Sequence, residues 1–569
     1  MKINFLISLS VILALLCGCD KTKQKPRSGE FLLPVMETTD IHGYIVSRED
    51  DFFHYRMAYI ADKAKDIRGR GAEYAKDRLL LLDGGDLYQG ASISNLLGGQ
   101  PVSAAADRMD YDAVALGNHE FDWGIENTVD PDATMPDYEW AGSRQVNDIP
   151  VLCANLYLDG SRAPFTKDYV IVEKTARSSS GETVPVRIGI IGFAVDYAGS
   201  IMSSRFTDRG FTIKEDYTIA DGLAKELEAS GQCDATVLLV HGAADYVAAQ
   251  LEWNSAIDLV LGGHSHARKS GRRGSGPVFL QGGRYCEHYS SADLKFMRDQ
   301  KTGKVSFTTV VNLKNVAVSA SFDQHRAEGQ NAEDLDEDVL AVCDAAIAAT
   351  ALEGDDVIGY IDVDATPYYL RGSGDRATSI SNWMCDILRR IGDADVSFVN
   401  SGGVRTTFPL GAAPTRDITV ANVYEMFPFN NTTYVYEITY ADLLRVLRYA
   451  LTDSGGSLFS YMTGIDCLFR GDSVVELRKD GATIYQNGSW TGDWASRTLL
   501  LAVSEYLATT QRTDSRTGQS NPLPEWNGTA RLLSNDLVDN ESAVVVLKAE
   551  AAVSGGLLSI DTTPHFILR

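Results

Sequence analysis

Five short stretches of the chain combine carboxylate, amide and imidazole side chains in Gly-flanked turns: "TTDIHG", "LDGGDLYQG", "GNHEFD", "LLVHGAADY" and "GGHSH". They supply Asp40 and His42, Asp86, Asn118, His119 and Asp122, His241, and His264 with His266. Five of the nine histidines fall in this set, which packing alone does not require. A mixture of oxygen and imidazole donors suits a borderline divalent metal such as zinc or manganese, whereas an all-oxygen set would suit calcium or magnesium. There are more ligands than one tetrahedral ion uses. Two ions, roughly 3.5 to 4 Å apart and bridged by a shared carboxylate, would use them all.

Each stretch follows a short, β-rich apolar run: "FLLPVMETTD", "RLLLLDGGD", "YDAVALGNHE", "ATVLLVHGAA" and "IDLVLGGHSH", with "IPVLCANLYL" and "VRIGIIGFAV" between them. Near-continuous apolar runs are strands buried on both faces, and their alternation with amphipathic helices such as "IADGLAKELEAS" predicts an α/β arrangement. Ligands in such sheets bind beyond the carboxyl ends of the strands, where these polar residues lie. From about 321 to 360 the chain turns acidic and Ala-rich, with a helical pattern from roughly Leu335 to Leu352. This reads as a linker helix or as a peripheral helix of the first domain. A second, α+β region follows, with strands in "ADVSFVNSGG", "TYVYEITY" and "ATIYQNGSW" and helices in "SISNWMCDILRRI" and "YADLLRVLRYALTD".

At 569 residues the chain exceeds what one core supports, so two large domains are expected. A net charge of -25 argues against a nucleic-acid polymer as partner, because such binding depends on cationic contacts to phosphates. A small anionic substrate stays compatible if metal ions or a few arginines concentrate positive charge locally. The opening "MKINFLISLSVILALLCGCDK" reads as an export signal over 1–19, and "LLCGC" resembles a bacterial lipobox with Cys19 as the lipid-modified residue. The plainer alternative is a signal peptide with an incidental cysteine. Residues 20–30 read as a polar tether. No later stretch is long and apolar enough to span a bilayer, so membrane contact is expected only through the anchor, on an exported protein in the bacterial cell envelope, periplasmic or at the outer-membrane surface. The remaining cysteines, Cys153, Cys233, Cys286, Cys343, Cys385 and Cys467, form no CxxC pair and read mostly as buried small hydrophobes.

The five ordered motifs resemble those of calcineurin-like metallophosphoesterases, and together with the second domain they resemble the 5′-nucleotidase family. The resemblance implies a metallophosphoesterase α/β sandwich over 31–320, a linker with its helix over 321–360 and a C-terminal α+β substrate-specificity domain over 361–569. It implies two divalent cations, manganese, zinc or similar. Asp40, His42 and His266 would ligate one, Asn118, His241 and His264 the other, and Asp86 would bridge them. His119 would stabilise the transition state or donate a proton, with Asp122 orienting its ring. In the second domain "DRATSISNWMCDIL" is similar to the family's arginine segment, giving Arg376. "NSGGVR" resembles its Gly-rich loop, giving Asn400 and Arg405, with Ser401 in place of a glycine. "MFPFNN" is similar to its Pro-Phe-x-Asn element, giving Phe429 as a stacking ring and Asn431 as a polar contact. After the strand expected in "LLLAVSEYLA", Tyr506 takes the place of the second ring, but the family's Gly-Gly-Asp-Gly-Tyr element is replaced by "TTQRTDSRTG", with Asp514 as a displaced candidate for ribose. The resemblance thus implies removal of phosphate from nucleotides by metal-activated water. Alternatives are a 2′,3′-cyclic-nucleotide phosphodiesterase/3′-nucleotidase, a phosphatase of another small phosphoester, and a non-catalytic surface binding lipoprotein.

Overall fold

The computed structural model describes residues 29–49, 52–139, 145–195, 209–272, 274, 276–318, 334–354, 356–362, 376–406, 415–524 and 530–569. The export signal and Cys19 lie outside the described residues. So does most of the expected tether.

In the first domain the apolar runs form two sets of parallel strands. Glu30–Thr38, Leu80–Asp83, Ala113–Ala115 and Val151–Leu152 pair in order, and Thr183–Ala194, Ala235–His241, Leu259–Gly262 and Val278–Gly282 form the second set. The antiparallel strand Tyr169–Arg177 joins them, meeting Leu32 through Arg177. One buried cluster draws on alternate residues of both sets, including Leu33, Leu82, Ala115, Ile190, Leu239 and Leu261. Their neighbours in sequence point the opposite way, Met36, Leu81 and Val114 into one outer core and Ile191, Leu238 and Val260 into another. Period-two alternation with apolar residues at both phases explains why the strands read as continuous apolar runs. The result is one continuous twelve-stranded sheet folded into a two-layer sandwich, with helices over both outer faces.

The acidic, Ala-rich segment forms the helix Glu337–Gly354. Its Val339, Cys343 and Ala346 are fully buried with residues of the first domain, and Tyr55 donates to Asp344 at 2.9 Å. The helix therefore packs as part of the first domain's core. Beyond it, a five-stranded sheet is ordered Tyr461–Thr463, Val396–Val399, Thr498–Ser504, Thr432–Thr439 and Arg531–Val538. The helices Ser379–Ile391 and Tyr440–Ala450 each begin with a threonine capping box, in which Thr378 and Thr439 accept the N–H groups of Ser381 and Asp442. The strand expected through "LLLAVSEYLA" ends at Ser504. Ser504 accepts the N–H of Leu507 and caps a short helix, Glu505–Thr509, so Tyr506 stands on a helical turn. All six described cysteines are free, five of them buried. Among the described residues no helix is long and apolar enough to cross a membrane.

The C-terminal strand Phe566–Leu568 is fixed beside Asp466–Arg470 by His565, whose Nδ1 lies 2.8 Å from Asp466 and Nε2 2.7 Å from Asp561. Burial alone would lower the imidazole pKa, but the two carboxylates raise it to about 9. Because the folded value lies above the ordinary 6.5, this stabilisation is complete below that pH and is lost as pH rises through about 9. His565→Gln is expected to cost about 2 kcal/mol near pH 6, allowing for the exposure of Asp561, and little near pH 10. Paired thermal melts at the two pH values check this. An equal loss at both would contradict it.

Candidate metal centre and adjoining cavity

The chemistry-bearing residues sit where strands stop and the backbone turns sharply. Asp40, His42, Asp86, His264 and His266 all have positive φ, between 50 and 67°, a conformation that costs an L-residue roughly 1 to 3 kcal/mol. The strain is held by cross-loop hydrogen bonds. The N–H groups of Asp40 and His42 donate to the carbonyls of Gly85 and Asp86 at 3.0 and 2.9 Å, and Tyr285 donates to Asp40 at 2.9 Å. The turns after separate strands thereby become one rigid platform.

The platform brings together every metal-ligand candidate named from the sequence. Asp40, His42 and His266 form one group of converging donor atoms, Asp86, His241 and His264 a second, and Asp86 also groups with His42 and His119. His42 Nε2 lies 3.1 Å from His266 Nε2, and Asn118 Oδ1 lies 3.1 Å from His241 Nε2 and 3.0 Å from His264 Nδ1. Asp86 Oδ2 lies 3.1 Å from His241 Nε2 and 3.7 Å from His42 Nε2. The far ring nitrogens are taken: His42 Nδ1 donates to the Gln89 carbonyl and His241 Nδ1 to that of Gly84, each at 2.8 Å. That arrangement leaves Nε2 directed inward, the second-shell pattern of metal-bound imidazole. Burial, with His241 in one case and Arg405 in the other, lowers His264 and His266 to about 3, whereas His241, which burial would also lower, is raised to about 10 by Asp86, whose charge a bound cation would meet instead. Burial would raise Asp86, but His241 and His119 hold it well below the carboxylate range. The donor set fits two divalent cations sharing Asp86.

His119 and Asp122 adjoin this centre. His119 donates its backbone N–H to Asp86 Oδ1 at 2.9 Å, and its Nδ1 lies 2.7 Å from Asp122 Oδ2. Burial would lower the His119 pKa, but Asp122 and Asp86 raise it overall. Arg405 of the second domain reaches across to place Nη2 3.1 Å from His119 Nε2. A guanidinium can only donate, so in this contact the ring is neutral with its proton on Nδ1. Phe429, beside Asn430 at φ 51°, brings its ring to 5.4 Å from His119 and 5.2 Å from the Arg405 guanidinium.

A cavity of about 270 Å³ runs from Asn118, His119, Asp122 and His264 into the second domain, where Asn400, Arg405, Phe429, Asn431 and Tyr506 line it. Arg376 is not among its lining residues. Its Nη1 donates to the Ala450 carbonyl at 2.8 Å and its guanidinium lies 4.8 Å from the Phe566 ring, so the expected substrate arginine braces the C-terminal strand instead. Asp514 is also turned away: it is 1% exposed and accepts the backbone N–H groups of Ser454, Arg516 and Thr517. Two features escaped the sequence reading. Arg512 lines the cavity. Glu120, 1% exposed, accepts the N–H groups of Asp86, Leu87 and Gly117 at 3.1, 2.8 and 2.6 Å, clamping one ligand turn to another. Its signal was present as the acid within "GNHEFD", whose other polar residues drew the attention.

Sandwich, ligand turns and facing arginine define a class, the dinuclear phosphoesterases, and comparison with known proteins agrees. A calcineurin-like phosphoesterase model matches residues 33–268 and a 5′-nucleotidase C-terminal domain model matches residues 357–484. The chain belongs to the 5′-nucleotidase family, whose calcineurin-like domains bind two divalent metals. It is 24% identical to Protein UshA of Yersinia enterocolitica over 85% of this chain and 88% of that one. It is 22% identical to the trifunctional nucleotide phosphoesterase protein YfkN of Bacillus subtilis over 81% of this chain, but spans only 31% of that relative's length. The crystal structure of a 5′-nucleotidase precursor from Thermus thermophilus shares the fold, with a TM-score of 0.65, 18% identity and coverage of 95% of this chain and 99% of that one.

Gly117 shows how little room the platform leaves. A Cβ there would stand 2.2 Å from Asp86 Oδ1 and 2.4 Å from Asp86 N. Gly117→Ala is therefore expected to displace the shared carboxylate and lower the metal content of dialysed, manganese- or zinc-loaded protein from two ions per chain to one or none. Elemental analysis beside circular dichroism checks this, and a folded variant retaining both ions would refute it.

Proposed function

We propose that the protein releases phosphate from small phosphoesters, nucleotides foremost, by a 5′-nucleotidase-type reaction. The observation that carries the reading is the continuity of one cavity from the metal-ligand turns, through His119, to the arginine and aromatic wall of the second domain. A phosphoester fits that order of groups, with its phosphate at the centre and its leaving group along Phe429 and Tyr506.

When bound, two divalent cations supply Lewis-acid charge and make water nucleophilic near neutral pH. Asp40, His42 and His266 would hold one of them and Asn118, His241 and His264 the other, with Asp86 available to both. The chain's own contribution is alignment and charge. Arg405 exchanges the imidazole nitrogen for phosphoryl oxygens, which are stronger acceptors for a guanidinium fork. The freed Nε2 of His119 takes up a proton from solvent, which the carboxylates of Asp122 and Asp86 favour, and the imidazolium then donates toward the oxygen on which charge builds while Asp122 stabilises it at Nδ1. Phe429 and Tyr506 offer aromatic surface to a base, and stacking of that kind tolerates any base.

One observation favours a second reading, another small phosphoester as substrate: the segment after Tyr506 presents Arg512 to the cavity and buries Asp514. Phosphate release from AMP, 3′-AMP, 2′,3′-cyclic AMP, UDP-glucose and an aryl phosphate separates the two. Fast, selective release from AMP supports the nucleotidase reading, and turnover of aryl phosphate alone sinks it. His119→Ala is expected to lower kcat about 10²- to 10⁴-fold while metal content is retained. Near-normal turnover would remove His119 from the mechanism.

We further propose that the protein is exported and lipid-anchored through Cys19, a reading supported by the residue pattern of 1–19. Cys19→Ser is expected to move the expressed protein out of the membrane fraction. Unchanged membrane retention would count against the anchor.

A further inference from the structure

Arg512 occupies an unusual position for an arginine in this acidic chain, which carries 77 acidic against 52 basic residues. Most arginines facing the interior are paired or spent. Arg68 donates to the carbonyls of Met109 and Asp110, Arg390 pairs with Glu550, and Arg376 caps Ala450. Arg512 lines the cavity, and among the described residues no carboxylate ion-pairs with it; its side chain has one neutral partner, the Ser457 hydroxyl at 3.1 Å. A guanidinium has five donors, so this leaves most of its capacity open.

Its placement is fixed. The Arg512 carbonyl accepts from the Tyr449 hydroxyl at 2.8 Å and from the N–H of Asn521 at 2.9 Å. On one side Asp514 pins the following turn to Ser454, and on the other the Asn521 amide holds the carbonyls of Leu507 and Thr510. The same Ser457 whose hydroxyl receives Arg512 accepts, at its carbonyl, the hydroxyl of Ser401 at 3.3 Å. The arginine is thus tied to the loop that leads to Arg405. Arg405 is the second cation on this cavity, and its Nε is buried with no partner. Tyr506 lines the same cavity as both guanidinium groups. Arg405 stands 3.1 Å from His119 beside the metal-ligand turns, whereas Arg512 follows the helix that carries Tyr506 and lines the cavity with Ser504 and Tyr506, which places it at the leaving-group end.

From this geometry we infer that Arg512 is a specificity-determining residue, selecting phosphoesters whose leaving group carries a second anionic group, a carboxylate or phosphate. The inference rests on the phosphohydrolase reading above and deepens it. In the cleavage the P–O bond to the leaving group breaks and a bond from phosphorus to water oxygen forms. The water proton passes to the leaving oxygen, and the second anionic group remains unchanged on the product. With AMP the leaving group is neutral adenosine, which gives Arg512 no charge to meet.

The test compares kcat/KM for two pairs of substrates that differ in that charge: 4-carboxyphenyl phosphate against phenyl phosphate, and adenosine 3′,5′-bisphosphate against AMP. Metal-reconstituted wild type is expected to favour the charged member of at least one pair about tenfold, the worth of one charge-assisted contact, with the favoured pair showing whether carboxylate or phosphate is taken. Arg512→Gln is expected to abolish that ratio and Arg512→Lys to keep part of it. No charge preference in wild type, or a parallel fall on charged and neutral substrates in Arg512→Gln, overturns the inference and reduces Arg512 to a brace for Ser457. Should wild type release no phosphate from any substrate, the phosphohydrolase reading fails by itself. Calorimetric titration with 4-hydroxybenzoate against phenol then decides the arginine's role. A preference for the carboxylate that Arg512→Gln loses sustains it, and equal binding overturns it.

Discussion

The Asp86 carboxylate is the contact on which the first domain's chemistry depends. One oxygen faces His241 and His42 from opposite groups of donors, and the other accepts the backbone N–H of His119. A single side chain therefore links the two groups of donor atoms to each other and to the ring beside them. A buried carboxylate is costly unless its charge is met, and here the facing imidazoles hold it ionised. The same feature explains the backbone. Left-handed residues at Asp40, His42, Asp86, His264 and His266 turn short side chains inward at the strand ends, which extended backbone would direct into the sheet's two faces. Glu120 carries the constraint one layer further by holding the turns that contain Asp86 and Gly117 at one distance.

The second domain completes this arrangement, its helix Val420–Met426 lying against the helices Ser92–Asn95 and Glu337–Gly354. Arg405 and Phe429 approach His119, Asn95 donates to the Pro428 carbonyl at 3.3 Å, and Ser92 donates to Glu425 at 3.4 Å. The helix Glu337–Gly354 buries its apolar residues in the first domain. The contact between Arg405 and His119, which lies on the cavity, is one that substrate itself can replace. Arg405 illustrates the exchange, since its present acceptor, a neutral imidazole nitrogen, is weaker than a phosphate oxygen.

The metal-ligand set was legible in the sequence because its residues are local. Each ligand pair lies within one turn, and the apolar run before it marks a strand end, so order and spacing suffice. The sandwich was legible for the same reason, through apolar residues at both phases of a two-residue period. What the sequence concealed depends on long-range partners. Arg376 and Arg405 look equivalent as arginines near Gly and Ser, yet one meets the Ala450 carbonyl and the Phe566 ring while the other reaches into the first domain. The "LLLAVSEYLA" run reads as strand throughout because its apolar residues suit either element. The Ser504 side chain ends the strand by capping a helix. Arg512 was hidden by Asp514, the more obvious candidate in the same segment, whose oxygens are consumed by its own turn.

The contrast between Asp514 and Arg512 also bears on how an acidic protein holds an anion. With a net charge of -25, long-range attraction cannot bring a phosphoester to this surface. Recognition must come from cations whose charge is not already neutralised by neighbours. At the centre, metal ions serve this purpose against a lining of carboxylates. Along the cavity, Arg405 and Arg512 do so, their side-chain hydrogen bonds among the described residues going to His119 and Ser457. Turning Asp514 inward is part of the same solution, because a free carboxylate beside Arg512 would quench it. The segment that departs from the family pattern thus presents a donor for anionic oxygen, Arg512, on a wall that also carries Asp539.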